Sequence, residues 1–60
     1  MDALATKPLM TDIRRDFTAL AKVLGTMIEM HSDDPVAAQR LRRAQASAER
    51  VAALIETRLH

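Results

Sequence analysis

The chain has no cysteine, no tryptophan and no tyrosine, and only one glycine, two prolines and one phenylalanine among its 60 residues. Each shortage closes off a class of structure. Without cysteine there is no disulfide framework, and a zinc site would rest on His31 and His60, too few nitrogen ligands for the usual tetrahedral set. With Gly25 as the single glycine, no glycine-rich phosphate loop can form. No HExxH pair occurs, and no Ser/His/Asp or Cys/His set can be assembled. No catalytic residue, cofactor or metal ligand is therefore assigned, and no enzymatic activity is expected. No apolar run approaches the roughly 20 residues that a membrane span needs. The opening stretch MDALATKPLM carries Asp2 and lacks the apolar centre of a signal peptide, so a cytoplasmic setting is expected. Nine basic residues against eight acidic ones give a net charge of +1, which does not point to nucleic acid or an anionic membrane by bulk charge.

What is present is helical spacing. Residues 1–7 show no periodicity and read as a flexible N-terminus, and 8–60 as a single helical-hairpin domain. Pro8 suits a first helical position, where its missing N–H costs nothing. From there Met10, Ile13, Phe17, Leu20, Leu24, Met27 and His31 follow alternating steps of three and four, a seam that predicts a helix over 8–32. Gly25 falls off that seam and reads as an exposed glycine tolerated by the helix. Ser32-Asp33-Asp34-Pro35 is a stop followed by a start. Proline drives the residue before it out of the helical region, and Asp34 with Pro35 forms an N-cap and N1 pair, with Ser32 as the alternative cap. A second helix over 35–58 carries the seam Ala37, Leu41, Ala44, Ala48, Val51 and Ile55. The class is all-α. A short link between two long helices predicts an antiparallel hairpin, with bulky residues of the first helix against alanines of the second.

That match leaves apolar surface over. Val23, Ile28, Met30, Val36 and Leu54 are expected to stay wet in a lone hairpin, which makes them the candidate protein interface. A second copy would cover them in a four-helix bundle homodimer, and a helical partner protein is the alternative. The expected function is a non-catalytic protein–protein interaction module, regulatory or chaperone-like. One other feature has a direction: Arg40, Arg43 and Arg50 fall along one edge of the second helix, a candidate contact for RNA or DNA phosphates. The plainer reading pairs these arginines with Asp16 or Glu29 across the hairpin or a dimer. In architecture alone the plan resembles the Rop type of RNA-binding four-helix bundle, and equally the small helical-hairpin chaperones of type III secretion. No motif of either is present and no residue carries over.

Overall fold

The computed structural model describes residues 3–59. Residues 1 and 2, part of the 1–7 segment, and His60 lie outside the described residues. Two helices, α1 (Ala3–Met30) and α2 (Pro35–Leu59), pack antiparallel against each other into a rod spanning 48 × 16 × 14 Å. Ala21 lies opposite Gln45 and Arg14 opposite Glu56, the pairing that a short link dictates.

Helix α1 starts at Ala3 rather than at Pro8, so Pro8 sits inside it. Proline cannot give an N–H to the Leu4 carbonyl. That loss falls near the start of the helix, where alanine and leucine, both strong helix formers, continue it backward. At the other end, α1 stops at Met30, two residues before the expected limit. The His31 N–H is shared between the carbonyls of Met27 (3.1 Å) and Ile28 (3.2 Å), and the Asp34 N–H reaches back to the His31 carbonyl at 3.0 Å. No described residue has positive φ, so the turn closes without a glycine. The start of α2 is as the sequence predicts. The Asp34 carboxylate accepts the Ala37 N–H at 3.1 Å, and the Asp34 carbonyl takes the Ala38 N–H at 2.9 Å. Asp34 is the N-cap and Pro35 the first helical residue.

The seam between the helices differs from the expected one by a rotation of each helix. Among the described residues, only Ala21, Ala38, Ala48 and Ile55 are buried hydrophobics, three of them alanines. Around Ala21, the half-buried residues of α1 include Met10, Arg14, Phe17, Leu24, Gly25 and Ile28. Leu20 and Met27, placed on the seam by spacing, are exposed, and His31 lies exposed beyond the helix end. On α2, Ala44 is exposed and Gln45 takes the inward position. Small side chains take the most enclosed positions, which lets the helices pack closely, and longer side chains lie toward the flanks.

Gly25 belongs to this close approach and is not a tolerated exposed glycine. It is half-buried, and a Cβ built there would lie 2.9 Å from Nε2 of Gln45. That Nε2 donates to the Ala21 carbonyl at 3.1 Å, one turn before Gly25. The missing side chain makes room for the amide, and the hydrogen bond fixes one register between the helices.

Two measurements check these local devices. Asp34→Ala should lower unfolding stability by about 1 kcal/mol in urea at fixed protein concentration; an unchanged midpoint would remove the cap. Gly25→Ala should be near neutral alone, because a helix gain of about 1 kcal/mol is offset by a lost hydrogen bond of about 1 kcal/mol. In a Gln45→Ala background the same change should stabilise, and an identical effect in both backgrounds would break the link between the two residues.

Candidate protein–protein interface

The two faces of the hairpin differ in chemistry. Thr18, Lys22, Gln45 and Glu49 line an open groove on one face, so these sides of the two helices point the same way. Arg14 and Glu56 belong to the same side by helical spacing, and they join at 2.9 Å with side chains 38% and 45% exposed. Nε of Arg14 is enclosed and has no hydrogen-bond partner among the described residues. This cross-helix pair was not anticipated from sequence, since Arg14 interrupts an otherwise apolar seam. At this exposure it adds little stability, about 1 kcal/mol or less.

The opposite face is apolar. On α1 it carries Leu9, Ile13, Asp16, Leu20, Val23, Met27 and Met30, again at alternating steps of three and four. Helix α1 therefore has two heptad stripes side by side, and α2 covers only one. Ile13 is half-buried beside the seam, while Leu9, Leu20, Val23, Met27 and Met30 are 58, 46, 55, 37 and 71% exposed. On α2 the matching side presents Ala37, Arg40, Ala44, Ser47, Val51 and Leu54, with Arg58 at its far end. Near the open end, Leu54 and Arg58 share a groove with Met10 and Ile55.

Of the five interface residues expected from sequence, Val23, Met30, Val36 and Leu54 are exposed in the hairpin. Ile28 is half-buried, because it continues the inner stripe with Ala21 and Leu24 against α2. Leu9, Leu20 and Met27 belong to the exposed stripe and were passed over. The signal for them was in the spacing, but a single heptad assignment absorbed Leu20 and Met27 into the inner seam.

The chain exposes much surface for its size. Its mass is 6.7 kDa and it exposes 4846 Å², whereas a compact chain of that mass exposes roughly 3,900 Å². The excess, about 900 Å², reflects the elongated shape of the rod. The radius of gyration, 14.3 Å, likewise exceeds the roughly 10 Å of a compact chain of this length.

Arg40, Arg43 and Arg50 are exposed, and none has an ion pair among the described residues. Neither Asp16 nor Glu29 meets them within the hairpin. Among the described residues no three His, Cys, Asp or Glu side chains converge as a metal site, and no helix is long and apolar enough to cross a membrane. No family model, curated protein or solved structure matches this chain.

Proposed function

We propose that this chain is a non-catalytic, self-associating helical interaction module, regulatory or chaperone-like in role. The uncovered second heptad stripe of α1 carries the reading. A hairpin whose buried hydrophobic residues are three alanines and one isoleucine has little core of its own, and chains of this size commonly gain stability by association. Stacking the apolar faces of two hairpins into a four-helix bundle would bury Leu20, Val23, Met27 and Leu54 together. The absence of cysteine from the sequence fits a cytoplasmic setting.

A second reading is favoured by the arginine edge. Three exposed guanidiniums on one helix without ion pairs among the described residues form a phosphate-tracking stripe, which two-fold symmetry would double. Aromatic side chains for base stacking are missing from that surface, since Phe17, the only one, is half-buried on α1.

Light scattering across a concentration series tests the first reading. A helical dimer is expected at low micromolar concentration. Val23→Asp should convert it to a poorly helical monomer, and a wild-type chain that stays monomeric throughout would refute self-association. Val23 is a cleaner probe than Ile28, whose substitution would also disturb the contact with α2. The second reading predicts RNA binding that weakens steeply between 50 and 200 mM salt. Exchange of Arg40, Arg43 and Arg50 for alanine should abolish it, and salt-insensitive binding would exclude it.

A further inference from the structure

We infer that the apolar face is covered by a second copy of this chain in one particular arrangement: α1 of each copy lies over α2 of the other, with both turns at the same end. The inference rests on the self-association proposed above and specifies its geometry. Two copies can stack these faces with a two-fold axis either along the helices or across them. Both arrangements leave neighbouring helices antiparallel, so helix direction does not choose between them. Side-chain size and charge do.

Size comes first. The exposed stripe of α1 is bulky through its middle, where Leu20 and Val23 stand, while the matching stripe of α2 is small there, with Ser47 and Ala44. An axis along the helices keeps every residue at its own level. Leu20 of one copy then falls over Ser47 of the other and Val23 over Ala44, large against small on both sides of the bundle, which suits native packing density. An axis across the helices stacks α1 on α1 and α2 on α2. Leucine then meets leucine on one side and serine meets small residues on the other, so one pair is forced apart while the other leaves a gap.

Charge agrees. Asp16 is the single acidic residue in the α1 stripe, and it is exposed without an ion pair among the described residues. Asp12, one turn earlier, is already held by Arg15 at 2.9 Å. With the axis along the helices, Asp16 of one copy falls over the edge of Val51 of the other, and Arg50, next to Val51 at the same outer edge, is within reach of the carboxylate. With the axis across the helices, Asp16 faces the stretch around Val23 and Met27, and Arg43 of one copy is brought level with Arg50 of the other. One arrangement pairs opposite charges, and the other brings like charges together and leaves a carboxylate against apolar side chains.

The absence of cysteine makes the test clean. Leu20→Cys and Ser47→Cys are made as separate proteins with tags of different mass, mixed, and mildly oxidised, with molar mass measured in parallel. The expected result is a covalent heterodimer from the mixture and almost none from either protein alone. A covalent dimer from Leu20→Cys alone would overturn the arrangement in favour of α1 on α1. A dimeric mass with no cross-link in any sample would overturn it as well. A monomeric mass throughout would overturn the self-association itself and leave the face to another protein. Charge reversal gives an independent reading. Asp16→Arg should weaken the dimer by roughly fivefold, and adding Arg50→Asp should restore it; failure of the second change to restore would contradict the pairing.

Discussion

The small residues buried between the helices govern the rest of the molecule. Ala21, Ala38 and Ala48 are among the few buried residues, and they let two helices approach with almost nothing between them. A thin seam has little room for leucine or methionine. The larger apolar residues of α1 are displaced to its flank, and only part of their surface is removed from water. The same closeness places the Gln45 amide against the backbone of α1, at the one position where no side chain obstructs it. Register, rotation and the surplus apolar face all follow from this single choice of small residues.

The division between the two faces follows from the same rotation. That rotation brings Arg14, Gln45 and Glu56 to one side, where they are paired across the seam. It brings the second heptad stripe to the other side, where nothing in the hairpin satisfies it. The segregation is sharper than either helix alone suggests, because both contribute polar residues to one face and apolar residues to the other. The rod is also elongated, and its accessible surface exceeds what a compact chain of its mass exposes.

Much of this was legible in the sequence. Asp34-Pro35 marked the start of α2 to the residue, because capping chemistry and proline geometry act locally. The antiparallel plan followed from link length. The start of α1 was harder to place, since a proline one turn inside a helix has the same signature as a proline at its first position. The rotation of the seam was harder still. When apolar residues occur at 20, 21, 23, 24, 27 and 28, two heptads fit equally well, and periodicity does not rank them. What ranks them is residue size on the opposite helix. Gly25 reads as a tolerated exposed glycine because the heptad runs past it without slipping, and nothing in the spacing singles out Gln45. Each explains the other, and neither is informative alone.

The four-residue link has a consequence in time as well as in space. Contacts nearest the turn join residues close in the chain, so little loop entropy opposes them, and contacts farther along become easy once these exist. Loop entropy therefore favours closure from Asp34 outward, through Gln45 and Ala21, with the Arg14–Glu56 pair near the end. On loosening, the sequence reverses, and the open ends part while the turn still holds. The end that carries Leu9, Pro8 and Arg58 is thus the first to come apart and the last to be secured, which makes the turn the pivot of the molecule and the opposite end its latch.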